Sequence, residues 1–393
     1  MKISTDKEKI EEILIRGVNE IIDYENLKQK LLSGKKLRVK LGIDPTSPKL
    51  HLGNSVMLLK LKDFQELGHQ IVLIIGDFTG TIGDTSDKTS ERPMLSEKET
   101  KKNTKDYIKQ VSKILDIKKT EVCYNSKWLK KLGYSEIGMQ ADQFSLSDFI
   151  DRENIKRRLD KGTRVSLREV LYPLMQGYDS VAVRADIEIG GTDQRFNLLA
   201  GRRLQECYKQ PPQDIMMLNL IAGTDGRKMS KSFNNTINIL DNPDDMFGKL
   251  MSVNDELIII YFEHLTRVPM EKVKEYKRQL ESGINPRDIK FILAKEITKF
   301  YWGEKRAEEA EKNFKKIFQE KKAPSKIPQL NLAGKNIVEV LILGKLAQSK
   351  SEARRLILQG GVKIDEKVVR SPEEIVNKDS IVQKGKRHFL KII

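Results

Sequence analysis

Leu37-Arg38-Val39-Lys40-Leu41-Gly42-Ile43 and Ile71-Val72-Leu73-Ile74-Ile75 are two short apolar runs, and the residues between them decide the fold. Each run has the length and composition of a buried strand. From Asn54 to Leu67 the apolar residues Val56, Leu59, Phe64 and Leu67 recur near one face of a helix, and Gly68 follows as its C-terminal cap. A strand, a helix and a strand in such close succession form a βαβ unit. That unit requires a parallel sheet with helices on its faces.

The alternation continues downstream. Ser96 and Glu99 form a capping-box pattern that opens a helix through Tyr107, Val111 and Ile114. The pattern predicts a strand over Val181 to Ile187, a helix over Asp193 to Cys207 and a further strand over Ile215 to Ile221. Beyond Asn242 only helices are predicted, over 270–280, 288–301 and 307–318. Ala323 to Pro328 reads as a linker. A compact tail follows from Gly334, with a second capping box at Ser349 and Glu352, a stop at Gly360-Gly361 and short strands near 362–364 and 367–369.

Composition narrows the class. The chain has 393 residues, 38% hydrophobic and 33% charged, which suits a globular protein of two or three domains. It contains no apolar run of about 18 residues, so no spanning helix and no membrane role is expected. Its charged first residues lack the apolar core of a signal peptide, and a cytoplasmic location is expected. Cys123 and Cys207, the two cysteines, imply neither a disulfide framework nor a zinc cluster and read as packed core residues. Lys and Arg outnumber Asp and Glu by 72 to 56. A net charge of +16 favours a polyanionic partner such as nucleic acid, or is simply a solvated surface.

Two motifs carry chemistry. Asp44 to Gly53 lies at the carboxyl end of the first strand, where parallel α/β sheets bind ligands. The helix beginning near Asn54 offers free N–H groups and a positive dipole to an anion. Thr46 and His51 can donate to phosphate oxygens, and Gly53 lets a nucleotide approach the backbone. Taken alone, His51 reads equally as a helix-capping residue. The second motif is Lys228-Met229-Ser230-Lys231-Ser232, after Asp225-Gly226-Arg227. Lysines in such a stretch are ordinarily solvated. Together, the two motifs point to nucleotidyl transfer from ATP to a carboxylate.

At these residues the chain resembles the class I aminoacyl-tRNA synthetases, whose signatures are His-x-Gly-His and Lys-Met-Ser-Lys-Ser. The second is matched in full, and the first ends in Asn54 instead of histidine. Tyr172-Pro173-Leu174-Met175-Gln176-Gly177-Tyr178-Asp179 would, as a helix, place Tyr172, Gln176 and Asp179 on one face. That stripe is similar to the tyrosyl-tRNA synthetase family of bacterial type. So are Gly190-Gly191-Thr192-Asp193-Gln194, Asp44-Pro45-Thr46 and Gly80-Thr81-Ile82-Gly83-Asp84.

The resemblance implies a Rossmann-like parallel-sheet catalytic domain over 1–225, with an inserted dimer-interface segment at about 125–165. It implies a signature loop at 226–234, an α-helical anticodon-binding domain at 235–322, a linker at 323–335 and a small α+β S4-like RNA-binding domain at 336–393. By the same resemblance, Asp179 accepts the substrate phenol's hydrogen bond, and Asp84, Tyr172, Gln176 and Gln194 complete the tyrosine site. Asp44, His51, Gly53, Asn54, Gly191, Asp193, Lys228, Met229, Ser230 and Lys231 face ATP. The catalytic set is Thr46, His51, Lys88, Arg92, Lys228 and Lys231. Many family members carry a second phenol-binding tyrosine where this chain has Lys40, which either pairs with Asp179 or turns away.

Lys350, Arg354, Arg355, Lys386 and Arg387 give the tail a basic surface for tRNA. Tyrosine, ATP with Mg²⁺ and tRNA(Tyr) are the implied substrates, with no protein-bound metal. A homodimer is implied through the segment Trp128 to Thr163, which carries apolar Phe144, Leu146, Phe149 and Ile150. The tryptophan enzyme of the same fold and a non-catalytic RNA-binding paralogue are the rival readings.

Overall fold

The computed structural model describes residues 3–46, 48–86, 96–230, 233–318, 327–385 and 388–393, without the side chains of Glu97, Lys101 and Phe318. The chain forms two compact units, Met1–Leu240 with Val253–Ile289, and Asp241–Ser252 with Lys290–Ile393.

The first unit is built on six strands, β1 (Val18–Ile22), β2 (Arg38–Ile43), β3 (Gln70–Ile75), β4 (Thr120–Tyr124), β5 (Ile187–Gly191) and β6 (Asp214–Leu218). Their order across the sheet is β1-β6-β5-β2-β3-β4. All neighbours are parallel except the edge pair, in which β1 runs antiparallel to β6. The helix Leu52–Glu66 joins β2 to β3, as the sequence pattern requires. Ile71 to Ile75 have no exposed surface, because helices cover both faces of the sheet. That burial is why the run shows no polar alternation. After β2 the chain builds outward through β3 and β4, then crosses to the other side for β5 and β6. The crevice between the carboxyl ends of β2 and β5 is therefore the topological switch point, where such sheets bind ligands.

One expected element is corrected. The predicted strand over Val181 to Ile187 is the end of a helix, Leu167–Val183, and the strand begins only at Ile187. Ser166 and Glu169 form the capping box that starts this helix, and Arg184 ends it in the left-handed conformation at φ 50°. The β-branched Val181 and Val183 mimic a strand in sequence, yet both are buried on a helix face. The helix tolerates Pro173 in its interior and places Tyr172, Gln176 and Asp179 along the side that meets the sheet.

This helix packs closely on the next one, Arg195–Cys207, and glycine makes the approach possible. A Cβ on Gly177 would lie 3.1 Å from the Ala200 carbonyl carbon and 3.0 Å from a Leu204 methyl.

In the second unit the Phe247, Phe291 and Phe314 rings cluster with centroids 5.6 to 5.8 Å apart. They come from the helices Pro243–Met251, Pro286–Trp302 and Glu304–Phe318. A second sheet holds β7 (Gln329–Leu330), β8 (Val362–Ile364), β9 (Lys367–Val368), β10 (Ile381–Lys384) and β11 (His388–Ile392), in the order β7-β11-β10-β8-β9. Leu341, Ile357, Val382 and Leu390 share its core with the helices Ile337–Leu343 and Lys350–Leu358. Ser349 caps the latter by accepting from the Glu352 N–H at 3.2 Å, while the Glu352 carboxylate accepts from the Gln348 N–H. Among the described residues no helix is long and apolar enough to cross a membrane.

Gly177→Ala is expected to force the two helices apart and cost about 1–3 kcal/mol, as overpacking does, seen as a lowered Tm in calorimetry. Gly138→Ala, in open space on the helix Tyr134–Ala141, is expected to leave Tm unchanged or raise it.

Candidate active site

A cavity of about 630 Å³ occupies the crevice at the ends of β2 and β5. Asp44, Thr46, His51, Gly53 and Asn54 reach it from the turn after β2 and the start of the following helix. Tyr172, Gln176 and Asp179 reach it from the helix Leu167–Val183, and Gly191, Asp193 and Gln194 from the end of β5. Asp84 and the segment Lys228, Met229 and Ser230 complete the same wall. Residues that follow β2, β3, β5 and β6 thus meet in one space at the carboxyl ends of those strands, and the helix Leu167–Val183, which precedes β5, adds its own side chains.

The inner end of the cavity is organised around Asp179, which is 3% exposed. Its Oδ1 accepts from the Trp128 indole N–H at 2.7 Å, and its Oδ2 from the Asn125 amide at 3.2 Å. Asn125 also donates to the Thr79 hydroxyl at 2.8 Å, and Thr79 donates to Asp44 Oδ1 at 2.7 Å. The Tyr172 hydroxyl closes the chain by donating to Asp44 Oδ2 at 2.9 Å. Two carboxylates on different elements are thereby fixed by one continuous hydrogen-bond path. Burial pushes the Asp179 carboxyl up to about 7, opposed by Lys40, Trp128 and Asn125. Burial, with Asp44 and Asp84 close by, also raises the Tyr172 phenol well above its ordinary value, so it stays a donor.

A second cluster lies beside the first. Gln194 donates to Asp84 Oδ2 at 2.8 Å, and Ser86 donates to Asp84 Oδ1 through both its N–H and its hydroxyl. Asn197 donates to Gln194 Oε1 at 3.0 Å and to Gln176 Oε1 at 3.1 Å. Lys40 turns away from the cavity and pairs with Glu188 at 2.9 Å. Its ammonium also donates to the Ser180 hydroxyl at 2.7 Å and the Gln176 carbonyl at 3.1 Å.

At the outer end the two sequence motifs are physically joined. Leu52 N–H donates to the Ile237 carbonyl at 2.8 Å, and Ile239 N–H to the Leu50 carbonyl at 3.0 Å. Gly53 N–H faces the Met229 sulfur at 3.3 Å. His51 stands at the N-cap, and its backbone N–H donates to Asn54 Oδ1 at 3.1 Å. Asn54 therefore spends its carbonyl oxygen on the helix start and keeps its NH₂ as its donating end. Lys228 pairs with Asp193 at 3.4 Å.

One buried amide holds this loop. Asn235, 2% exposed, accepts from the Ser230 N–H at 2.8 Å. It donates to Asp225 Oδ1 at 2.7 Å and to the Lys228 and Arg227 carbonyls at 3.1 and 3.3 Å. Asn235 and Arg227 together hold the Asp225 carboxyl down at about 2. Arg227 stacks over the Phe233 ring at 4.4 Å. Residues 225–230, where lysines read as solvated in sequence, are thus pinned at several points.

Lys88, Arg92, Lys231, Lys386 and Arg387 lie outside the described residues. Lys350, Arg354 and Arg355 are exposed on the tail helix, in the other unit from the cavity. Sequence reading missed Thr79, Asn125, Trp128, Asn197, Glu188 and Asn235. Thr79, Asn125, Trp128 and Glu188 act through partners distant in sequence, and the bonds of Asn197 and Asn235 follow no periodic pattern that a sequence would show. Cys123 and Cys207 are half-buried free thiols instead of core residues, and burial pushes Cys123 up to about 11.

A nucleotide-sized cleft at the switch point of a parallel sheet, bounded by the 51–54 helix start and the 228–230 loop, defines a class I synthetase catalytic unit. Residues 32–319 match the family of tRNA synthetases class I (W and Y), and residues 345–382 match the S4 domain. The chain belongs to that class I family. It is 46% identical over 393 residues to a tyrosine–tRNA ligase of Thermotoga maritima, covering 99% of this chain and 98% of the relative. It is 47% identical to one of Carboxydothermus hydrogenoformans, covering 97% of each. Two solved structures share the fold. One is a C-terminally truncated mitochondrial tyrosyl-tRNA synthetase of Aspergillus nidulans, at TM-score 0.66 and 18% identity over 79% of this chain and 94% of that one. The other is a tyrosyl-tRNA synthetase of Archaeoglobus fulgidus complexed with L-tyrosine, at TM-score 0.61 and 22% identity over 77% and 99%.

Asn235→Ala removes four hydrogen bonds from the 225–230 loop. Amide hydrogen exchange over residues 223–230 is expected to quicken by about tenfold or more, while exchange in β2, β3 and β5 stays at its wild-type rate.

Proposed function

We infer that the chain is a tyrosine–tRNA ligase. It activates L-tyrosine with ATP, giving tyrosyl-adenylate and pyrophosphate, and transfers the tyrosyl group to the 3'-terminal adenosine of tRNA(Tyr). The observation that carries the reading is the buried Asp179 carboxylate at one end of a cavity whose other end is the 51–54 and 228–230 pair. A buried acceptor fits a substrate bearing a hydroxyl. A pocket built to bond a hydroxyl rejects the analogue lacking it by orders of magnitude, because the acceptor is then left unpaired.

The roles follow from charge. Asp84, Tyr172 and Gln176 surround the substrate ammonium, and Gln194 completes the tyrosine site facing the adenylate. Thr46 and His51 meet the transferring phosphate, with Asp44, Gly53, Asn54, Gly191 and Asp193 along the nucleotide. The substrate carboxylate is ionised at neutral pH, so its attack on the α-phosphorus needs no general base. The protein aligns that attack in line and stabilises charge on the departing pyrophosphate. Lys228, with Lys88, Arg92 and Lys231, supplies the cationic donors, and Mg²⁺ enters with the triphosphate. Lys228 starts from its pair with Asp193 and must exchange that partner for phosphate.

We assign residues 1–225 to the catalytic domain, 235–322 to anticodon binding and 336–393 to further tRNA contact. Lys350, Arg354, Arg355, Lys386 and Arg387 are the proposed phosphate contacts. We also propose a homodimer through the 128–163 segment. Phe149 is spent on the core, against Phe144 and Phe196, but Tyr134 and Leu146 are 96% and 68% exposed. We further propose a cytoplasmic location.

Amino-acid-dependent ATP–pyrophosphate exchange tests the reading. Tyrosine is expected to support exchange, with tryptophan and phenylalanine inactive by comparison; preference for either of those overturns it. Asp179→Asn is expected to lower kcat/KM for tyrosine by about 10- to 100-fold, the worth of a charged hydrogen bond. Wild-type kinetics in that variant would remove Asp179 from the pocket. Removing Gly334 to Ile393 is expected to spare exchange and depress transfer to tRNA, and equal survival of both steps would deny the tail its RNA role.

A further inference from the structure

β2 and β5 pair in register at Lys40 and Glu188, and the two side chains are 0% and 1% exposed. A buried ion pair is often no better for stability than an apolar pair of the same volume. Its presence beside the cavity asks for another role, and the hydrogen bonds supply one. Lys40 Nζ reaches Glu188 at 2.9 Å, the Gln176 carbonyl at 3.1 Å and the Ser180 hydroxyl at 2.7 Å. Gln176 and Ser180 bracket Asp179 on its helical turn. Ser180 returns to Glu188 at 3.0 Å, and Gln213 donates to the same carboxylate. Every bond of Lys40 thus leads to the turn carrying Asp179 or to its own counter-ion.

We propose that Lys40 is a positioning residue for Asp179: from beneath the cavity floor its ammonium holds the 176–180 turn and keeps the facing carboxylate an acceptor for the substrate hydroxyl. This rests on the reading of the cavity as a tyrosine site. The surroundings of Asp179 support it. Lys40 faces it from β2, Glu188 from β5, and Asn125 and Trp128 from the segment after β4. Tyr172 lies on the same helix, and Asp44 is joined to it through Thr79. Burial places the carboxyl at about 7, and Lys40 is the strongest influence opposing that rise, while Glu188 adds to it. A group poised there changes its acceptor strength with a small change in local charge.

The sign is fixed by chemistry. Binding that uses the carboxylate strengthens as pH rises through the Asp179 midpoint. Neutralising the pair, with Lys40 the stronger influence, raises that midpoint; removing the Glu188 charge alone lowers it. The test measures KM for tyrosine by ATP–pyrophosphate exchange from about pH 6 to about pH 8.5, below the titration of the phenol near 10. The double variant Lys40→Met with Glu188→Gln is expected to move the midpoint up by about 1 unit, raising KM several-fold near neutrality and converging on wild type at the alkaline end. Glu188→Gln alone is expected to move it down, which keeps the proposal testable if the double variant fails to fold. KM for ATP is expected to stay unchanged in both. Midpoints at the wild-type value, or a KM raised by one factor at every pH, would overturn the proposal and leave a merely structural pair. A wild-type chain without tyrosine-dependent exchange would overturn the tyrosine reading itself, and this inference with it.

Discussion

The short parallel pairing of β2 with β5 is the constraint on which the molecule depends. The two strands share register at Val39 with Ile187 and at Lys40 with Glu188, and then part. Their parting at the carboxyl ends opens the crevice that becomes the cavity. The same pairing aligns Lys40 and Glu188 as a buried ion pair, and that pair grips the helix Leu167–Val183 from below. One pairing therefore sets the width of the cleft and the height of the residues that line it.

Charge is sorted along the cavity. Asp44, Asp84 and Asp179 lie within it, and each already holds donors from neighbouring elements. In a medium of low effective dielectric, carboxylates so close are tolerable only when paired or hydrogen-bonded. Their arrangement leaves a region suited to an ammonium and a hydroxyl. Lys228 and the N-terminus of the helix Leu52–Glu66 provide the opposite sign at the outer end. A zwitterionic amino acid and a polyphosphate have the complementary order of charges, which is the arrangement the proposed function requires.

Residues 225–230 hold a defined geometry through contacts with Asn235. Asn235 gathers the backbone of Arg227, Lys228 and Ser230 together with the Asp225 carboxylate, and the strand-like pairing of 237–239 with 50–52 anchors the loop to the first motif. Lys228 meanwhile rests on Asp193. An exposed ion pair of this kind contributes little energy, so the exchange of Asp193 for phosphate under the proposed function costs little. The anchor, Asn235, is buried, and Lys228 is exposed.

Much of this was legible in residue order. Two continuous apolar runs and the 3.6-residue spacing between them, over 37–75, give the βαβ unit, the two capping-box patterns give helix starts at 96 and 349, and the two motifs mark residues that line one cavity. These are local properties, fixed by backbone geometry and by which neighbours a residue meets one turn away. Val181 to Ile187 was misread because β-branched residues suit a buried helix face as well as a strand, and only packing chooses. The partners of Asp179, the choice of Lys40 for Glu188 and the anchoring of the 228–230 loop by Asn235 belong to tertiary structure alone. The first two join residues remote in sequence and the third closes a loop of no regular pattern; hydrogen-bonding capacity in a sequence says what a side chain can hold, while the fold decides what comes within reach.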